Sequence, residues 1–515
     1  MNLPNSVEQI YDTMAGTRNV VVERVEEYAT WTLPSIFPRS GNNESDELQN
    51  DVQSFGAQAV NHLSNKLMVG LFSPSKSFFR LEATQEFKDT LALQNVTEEM
   101  IQTSLQGAET EAIKELARLG AREPFTLLLQ LLIITGNALL HFPADGTISV
   151  YSMRDYVIKR DITGFPIRII IHDAKQLDTL PPEVQDELLK NNPNLSDGER
   201  DTKLYTDCVW DRATKKYHVN QYADDVKLTN EKTQGVYTIE NMPYVPLVWK
   251  IIRGQDWGRG LVEDYAGDYH SLSTAERSSL EIVGIISQIK GLIDPAGMTD
   301  VNEMNSTANG QWCSGRADDV EMLTFSELND KLTTLEAYID KKERRLSKAF
   351  LMDSAGVRDA ERVTAEEIRL VARDLEMALG GVYTRLAQTF QLPIARLLLL
   401  KIDFNIKGEE VEPIIITGLN ALSRSGDLYS FRLFVQDVSL LAGIDPEVRA
   451  LLSFERLVTF VATNNNIPLD VALKTVEEKQ ADQQAIADSQ QQEIEDEVRM
   501  KAEPQLLANE NGAQQ

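Results

Sequence analysis

The chain has 515 residues, of which 42% are hydrophobic and 25% charged, so it is expected to fold into two to four subdomains with ample buried core. Its formal net charge of -28 argues against tight DNA binding, because affinity for phosphates needs a basic surface, although many soluble proteins are acidic. The two cysteines, Cys208 and Cys313, are too few for a disulfide framework or a thiolate metal cage and suit a reducing cytoplasm.

Signals for secretion and for membrane insertion are both missing from the sequence. The longest apolar run, residues 125–134, is too short to cross a bilayer. The first residues lack the basic, apolar and small-residue order of a signal peptide. No membrane insertion is therefore predicted.

The first third of the chain is predicted to be mainly helical. Apolar residues at helical spacing predict helices over residues 6–28, 55–72, 97–119 and 124–135. Ser6 is expected to cap the first helix, and Pro34 and Pro38 are expected to prevent its continuation.

Residues 138–249 change to the period of β-strands. Strands are predicted over residues 148–151, 156–160, 167–172, 204–210, 217–222 and 245–251. Asp145-Gly146 and Thr163-Gly164 have the composition of hairpin turns. A short helix is predicted over residues 181–189. We interpret this block as an antiparallel sheet domain inserted between helical parts.

Two long helices, over residues 261–292 and 326–350, are predicted to flank an irregular insert. The breaker is Asp294-Pro295-Ala296-Gly297, and one short strand is predicted near residues 311–313. Leucine, isoleucine and phenylalanine recur at near-heptad spacing along the second helix. Such a ridge is expected to pack against another helix.

A further long helix begins after Glu361. Thr364 and Glu367 form a capping box at its start, and the apolar ridge continues to Phe390. Gly380-Gly381 predicts a bend or a close backbone approach, and Pro393 an end or a kink. We expect this ridge and the one before it to need partners, which neighbouring copies of the chain could supply.

The C-terminal part is predicted to contain helices over residues 428–441 and 447–463. Residues 475–515 are rich in Gln, Glu, Asp and Ala and contain few large apolar side chains. A disordered tail and a frayed helix both fit this composition, and the frayed helix is favoured.

No catalytic motif is recognisable in the sequence. Phosphate-binding loops, dinucleotide fingerprints, paired-histidine zinc motifs and nucleophile elbows do not occur, and Gly258 with Gly260 is interpreted as a turn. Glu263, Asp264 and Asp268 could hold Mg²⁺ in a nuclease, but a solvated acidic face is the favoured interpretation. We predict no catalytic residue, no metal site and no cofactor.

Nine short motifs occur along the chain in an order that resembles one protein family. They are WTLPSIFP at residues 31–38, SNKLMVGLFSPSKSFFRLE within 55–82, GNALLHFP at 136–143, PYVP at 243–246, GRGLVED at 258–264, DPAG at 294–297, Gly315-Arg316, ERVTAEEIR at 361–369 and TGLNAL at 417–422. This series resembles the portal, or head-to-tail connector, proteins of short-tailed double-stranded DNA bacteriophages. The resemblance covers about nine tenths of the chain and fades after Val476.

The resemblance implies a predominantly helical α+β fold of the portal type, in which twelve copies usually form a ring. The implied regions are a wing (1–255), two stem helices (256–292 and 326–350), a clip (293–325), a tunnel loop (351–362), a long capped helix returning to the wing (363–412), a crown (413–475) and an acidic tail or barrel helix (476–515).

The implied function is a DNA channel at one capsid vertex, used for genome packaging, head assembly, tail attachment and genome ejection. The implied partners are other copies of the chain, double-stranded DNA without sequence preference, the terminase packaging motor, a tail adaptor, the major capsid and scaffolding proteins, and internal core proteins. The protein would not be an enzyme, and it would assemble in the host cytoplasm and end in the virion.

One basic cluster stands out against the acidic background and gives the candidate channel residues. It consists of Lys341, Lys342, Arg344, Arg345 and Lys348 on the second stem helix, continued by Arg358 and Arg362. These cations would either pair with acidic neighbours or touch DNA phosphates weakly.

The residues that resemble the tunnel loop of the family follow this helix. They are Met352, Asp353, Ser354, Ala355, Gly356 and Val357. Two other classes of protein remain as alternatives: a monomeric helical scaffold or binding module, and a metal-dependent nuclease.

Overall fold

The computed structural model describes residues 6–42, 45–72, 77–93, 98–144, 146–176, 182–191, 201–223, 226–230, 233–287, 291–322, 326–352, 365–402, 404 and 411–415. The chain divides into two units. One comprises residues 1–79, 112–405 and 415–419, and the other residues 80–111, 406–414 and 420–515. The predicted helices at 428–441 and 447–463 and the C-terminal tail lie outside the described residues.

The predicted N-terminal helices are confirmed, with one addition. They are α1 (Val7–Thr30), α2 (Phe55–Leu71), α3 (Gln85–Ala92), α4 (Glu98–Arg118) and α5 (Arg122–Thr135). Ser6 caps α1, since its Oγ accepts a hydrogen bond from the Gln9 N–H at 3.2 Å. The short α3 was not predicted, because eight residues carry too little periodicity.

The block predicted as a single antiparallel sheet forms two antiparallel sheets. The strands are β1 (Phe79–Ala83), β2 (Asn137–His141), β3 (Ser149–Tyr151), β4 (Tyr156–Arg160), β5 (Pro166–Gln176), β6 (Asp201–Asp211), β7 (Lys216–Ala223), β8 (Val226–Lys227), β9 (Gln234–Tyr237) and β10 (Tyr244–Val248). One sheet has the order β10-β2-β3, and the other the order β4-β5-β6-β7-β8 with β9 also on β7. The predicted short helix is α6 (Pro182–Asn191).

Strand β2 was missed because four successive residues from Asn137 to Leu140 are buried, so the alternation of a half-buried strand is absent. The predicted turn at Thr163-Gly164 is confirmed: Gly164 has φ 94° and its N–H donates to the Asp161 carbonyl at 3.0 Å. Asp145 of the other predicted turn lies outside the described residues.

Helix α1 lies across the six-stranded sheet. Val7, Tyr11 and Ala15 form a buried cluster with Val157, Ile170 and Tyr205 of the strands. The guanidinium of Arg18 donates to the Tyr11 hydroxyl at 2.9 Å and to the Arg154 carbonyl at 2.6 Å. These contacts join the first helix to the sheet domain.

Asn137 is a polar junction between the end of α5 and the loop before α7 (Leu261–Asp264). Its Nδ2 donates to the carbonyls of Thr135 and Gly258, both at 2.9 Å, and its Oδ1 accepts from the Gly258 N–H at 2.7 Å. A Cβ at Gly260 would lie 2.6 Å from two carbonyl oxygens of α5. The glycines at 258 and 260 therefore serve close backbone packing rather than the predicted turn, which lies earlier, at Arg253-Gly254.

The first of the two predicted long helices ends earlier than predicted. After α7, α8 (Ala266–Ile286) ends five residues before β11 (Gly291–Ile293), which pairs with β12 (Val320–Met322). The insert also holds α9 (Val301–Ser306), and α10 (Ser326–Ala349) follows as predicted. Helix prediction to residue 292 was wrong because β11 depends on a partner strand about thirty residues away along the chain. The strand predicted at residues 311–313 does not form, and these residues are exposed.

The last long helix is divided into four parts. They are α11 (Ala365–Leu379), α12 (Gly381–Leu386), a π-helical segment (Ala387–Gln391) and α13 (Leu392–Lys401), and β13 (Val411–Ile415) pairs with β1. The predicted bend is confirmed at Gly380, with φ 49° and ψ -120°. Pro393 does not end the helix; it lies in the first turn of α13, where its missing N–H costs nothing.

The apolar ridge of this helix finds its partner within the same chain around Phe390 and Tyr383. Phe390 lies between Phe72 and Phe125, with ring centroids 5.0 Å from each. The Tyr383 hydroxyl donates to the Gly70 carbonyl at 2.9 Å, and the Gln391 amide donates to the Leu71 carbonyl. Helix α2 thereby receives caps for its last carbonyls from the ridge that covers it.

We predict that Asn137→Ala lowers the melting temperature by about 5 °C, because it removes three buried hydrogen bonds worth roughly 3 kcal/mol. Scanning calorimetry on the assembled protein measures the shift. Asn61→Ala is the matched control, because Asn61 makes an exposed hydrogen bond to Gln130 at 2.8 Å. Equal melting temperatures for Asn137→Ala and the control would contradict the role of this junction.

We also predict an acid-sensitive contact at His141. Its ring stacks on Tyr244 at 4.3 Å, and burial lowers the pKa of His141 to about 4. Because the unfolded imidazole has a pKa of about 6.5, the folded state loses stability as the pH falls from about 6.5 to about 4. His141→Phe keeps the stacking but removes the titration, so its melting temperature should fall less than that of the wild type across this range. If the melting temperatures of the two proteins fall equally with pH, the acid sensitivity does not come from His141.

Candidate functional site

The predicted basic cluster lies on α10, which packs antiparallel to α8. Residues on the facing sides form the buried seam of this hairpin, including Tyr269, Leu272, Ile339, Leu346 and Phe350. The Phe350 ring meets the Tyr269 ring edge-on with centroids 5.9 Å apart. The ridge of α10 is thus covered by α8 of the same chain near Phe350, which corrects the expectation that other copies cover all of it.

Two of the predicted channel cations are neutralised by Asp268 on α8. The Lys342 Nζ lies 2.9 Å from Oδ1 of Asp268, and the Arg345 Nε lies 3.2 Å from Oδ2. The Asp268 side chain is only 11% exposed. The hydrogen bond to Asp268 raises the pKa of Lys342, which keeps the ammonium charged and bound. The pairing interpretation is therefore confirmed for Lys342 and Arg345.

The remaining cations of α10 are more available. Arg344 lies 3.8 Å from Asp340, and both side chains are largely exposed, so this pair contributes little. Lys341 and Lys348 are exposed, and no carboxylate of the described chain lies within ion-pair distance of either. Among the described candidates, these two lysines are exposed without an ion pair, and Arg344, whose side chain is 81% exposed, is also accessible to an external anion.

Several predicted site residues follow α10 in the chain and are not among the described residues. Asp353, Ser354, Ala355, Gly356, Val357, Arg358, Arg362 and Thr364 lie outside the described residues. Met352 is described: it is half-buried, and its N–H donates to the Ser347 carbonyl at 2.8 Å. Glu367 lies in the first turn of α11, which begins directly after Thr364, and the capping box stays a prediction.

The three carboxylates considered for Mg²⁺ do not share one face. Asp264 ends α7, and the chain turns at Tyr265 before Asp268. Glu263 is 14% exposed and lies 3.0 Å from Arg259, while Asp264 lies 3.4 Å from Lys250. The solvated-face interpretation was thus wrong for Glu263 and Asp268, which are ion-paired. No group of three potential metal ligands occurs within the part of the chain that the structure covers.

The distal half of the hairpin and its insert have no buried core. Between Glu276 and Tyr338, none of the side chains that the structure describes is buried. Large apolar side chains are instead exposed, including those of Leu280, Val283, Ile285, Leu292, Met298, Met304 and Trp312. Trp312 is 98% exposed. Exposed apolar side chains in this number are typical of a surface that a partner covers.

Polar contacts to Asp319 hold the insert in place of a core. The Asp319 carboxylate accepts hydrogen bonds from the N–H groups of Met298 and Thr299, at 2.8 and 3.2 Å, and from the Thr299 hydroxyl at 2.9 Å. Its backbone carbonyl accepts from the Asp294 N–H at 2.9 Å. Sequence reasoning missed Asp319. No local signal pointed to it, because the N–H groups that its carboxylate accepts from lie 20 and 21 residues earlier in the chain.

None of the helices in the described ranges is both long and apolar enough to span a membrane.

Comparison with known proteins supports the resemblance inferred from the motifs. The sequence model of the family described as "Bacteriophage head to tail connecting protein" matches residues 5–472. The portal protein of Enterobacteria phage SP6 is 31% identical over 98% of this chain and 97% of its own length. The portal protein of Enterobacteria phage T3 is 32% identical over 92% of this chain and 88% of its own length.

One solved structure, the virion of a native gene transfer agent particle, contains a chain that is 12% identical to this one. The match covers 80% of this chain and 88% of that chain. Its TM-score of 0.37 is too low to establish a shared fold. The sequence relationships are sufficient by themselves. This chain belongs to the family of bacteriophage head-to-tail connecting proteins, and its function is that of a phage portal protein.

Proposed function

We propose that copies of this chain form a ring, expected to be a dodecamer, around a channel for double-stranded DNA at one vertex of the capsid. The ring would admit the genome during packaging and release it during ejection. It would also nucleate head assembly and attach the tail. The protein would assemble in the host cytoplasm, have no enzymatic activity of its own, and remain in the virion.

The observation that carries the ring is the uncovered half of the α8–α10 hairpin. Fixing each backbone residue costs about 1–2 kcal/mol, which a segment without buried side chains does not recover by itself. Neighbouring copies that cover Leu280, Val283 and Ile285 would supply the missing burial. Identical surfaces repeated around an axis close into a ring when the rotation between copies divides a full turn.

Charge supports a channel that does not hold DNA. The net charge of -28 repels a duplex, and Asp268 pairs with two of the cations, which offsets part of the attraction they would exert on it. Lys341 and Lys348 would remain as weak contacts to phosphates. Because screening limits such contacts to about 8 Å in physiological salt, they act only where the channel is narrow. Arg344, Arg358 and Arg362 are further candidates for the same surface.

The insert, within the predicted clip at residues 293–325, is the proposed docking surface for the terminase motor and afterwards for the tail adaptor. It exposes Trp312 and Met298. Between residues 291 and 322 it carries six carboxylates and one arginine, so a partner that docks here should present basic groups around an apolar pocket.

The other regions follow the family assignment. The wing, residues 1–255, would contact the major capsid and scaffolding proteins. The crown at 413–475 and the tail at 476–515 would face internal core proteins. Residues 351–362 would form the tunnel loop, between the stem and the helix that begins at 363.

Negative-stain microscopy and light scattering of the purified protein test the ring. Wild-type protein should give annular particles, and Leu280→Glu with Val283→Glu should disperse them, because each added carboxylate would face a neighbouring copy. Ile162→Glu, at an exposed apolar residue of the β4–β5 turn, is the control and should leave rings intact. A single-chain mass for the wild type would instead support the monomeric scaffold.

DNA binding by the available lysines can be tested on the same rings. Lys341→Ala with Lys348→Ala should weaken binding of duplex DNA and make its salt dependence shallower, by a slope of about 0.9 for each phosphate that is no longer neutralised. Lys342→Met removes one positive charge, which is already paired with Asp268, and it should leave DNA binding unchanged. Equal effects of the two substitutions would show that Asp268 does not decide which cations reach DNA.

A further inference from the structure

The end of α10 contains an unusual backbone conformation at Leu351. Its φ is 59°, in the left-handed region, and Lys215 is the one other non-glycine residue with a positive φ in the described parts of the chain. A left-handed conformation costs a residue with a side chain roughly 1–2 kcal/mol. Helices commonly end in this conformation, but usually with glycine. Such outliers persist where the surrounding structure imposes them, often at functional positions.

Contacts from two directions hold Leu351. Within α10, the Leu351 N–H donates to the Lys348 carbonyl at 3.3 Å, and the Met352 N–H donates to the Ser347 carbonyl at 2.8 Å. From α2, the His62 Nε2 lies 3.1 Å from the Leu351 carbonyl oxygen. Because a carbonyl only accepts, the imidazole Nε2 carries the proton. Burial lowers the pKa of His62, so the ring is neutral at pH 7.

The same face of α2 also holds the chain where it returns. Lys66 lies one turn after His62, and its Nζ is 3.3 Å from Oδ2 of Asp374 on α11. The Lys66 side chain is only 3% exposed, so this ion pair is fixed by the packing of α2 against α11. Helix α2 therefore serves as a common reference for the end of α10 and for α11.

We propose that His62 and Leu351 are positioning residues, which together fix the direction in which the chain leaves α10. This inference rests on the proposed function, in which the chain continues from α10 toward the DNA channel. The left-handed turn sets the direction, and the hydrogen bond from α2 prevents the turn from relaxing. The free energy that the Leu351 conformation costs is tolerated because this conformation gives the chain one defined direction after α10.

Complementation of a phage that lacks its own portal gene tests this. His62→Leu and Leu351→Ile should both form normal rings, with melting temperatures within about 3 °C of the wild type. The yield of particles with full-length genomes should fall at least about tenfold, because leucine in place of His62 cannot donate to the Leu351 carbonyl and a β-branched residue disfavours the left-handed conformation. Two conservative variants should stay within about threefold of the wild type. His62→Gln keeps a donor for the carbonyl, and Leu351→Asn loses the leucine side chain but accepts the left-handed conformation.

Two matched controls separate positioning from general destabilisation. Asn61→Ala changes the residue next to His62 on α2. Asn61 accepts a hydrogen bond from Gln130 of α5 rather than contacting the end of α10. Lys215→Gly relieves the other positive φ, which lies in the turn between β6 and β7. Neither control should reduce the yield of full particles.

Three outcomes would overturn the inference. One is a wild-type yield of full particles from His62→Leu or Leu351→Ile. Another is loss of rings in His62→Leu, which would make the contact one of assembly. The third is an equal defect in Lys215→Gly. If the wild-type protein itself forms no ring, the proposed function fails. If the wild type forms rings but the variants do not reduce the yield of full particles, only the positioning role is overturned.

Discussion

Packing around α2 is the constraint on which the larger unit depends. Its apolar face, with Ala59, Leu63 and Leu67 fully buried, is covered by α5 and by the helix that includes Phe390. Its last two carbonyls accept hydrogen bonds from Tyr383 and Gln391. A helix end buried without such partners would be costly. Because the same helix contacts the end of α10 through His62, the position of the hairpin also follows from it.

The α8–α10 hairpin, unlike α2, is covered over only part of its length. Near α2, the residues around Phe350 and Leu346 are buried, and the hairpin is held by its own core. Beyond Glu276 this burial stops, and exposed apolar side chains and the Asp319 contacts replace it. This division leaves the distal half of the hairpin uncovered within the described chain, which is the surface proposed above to be covered by neighbouring copies. The physical reason is that burial, not hydrogen bonding, offsets most of the conformational entropy lost on folding.

Asp268 shows how tertiary structure changes the meaning of a charged motif. As a pattern, Lys341 to Lys348 is one basic cluster on a helix. In the fold, a single carboxylate with 11% exposure binds Lys342 and Arg345, and leaves Lys341 and Lys348 exposed. Asp268, which was considered as a metal ligand from the sequence, is the carboxylate that pairs with two cations of the cluster. An acid on a facing helix could be anticipated only after the hairpin itself was known.

Local chemistry and family membership could be read from the sequence by itself. The Ser6 cap, the bend at Gly380, the turn at Thr163-Gly164 and most helix limits depend on residues within a few positions of each other, and motifs in a fixed order indicated the portal family. The pairing of β11 with β12, the fully buried β2, the covering of the Phe390 ridge and the choice of available cations were decided only by the tertiary structure. Each depends on a partner far away along the chain, and no local pattern encodes which distant surface will cover a residue or neutralise its charge.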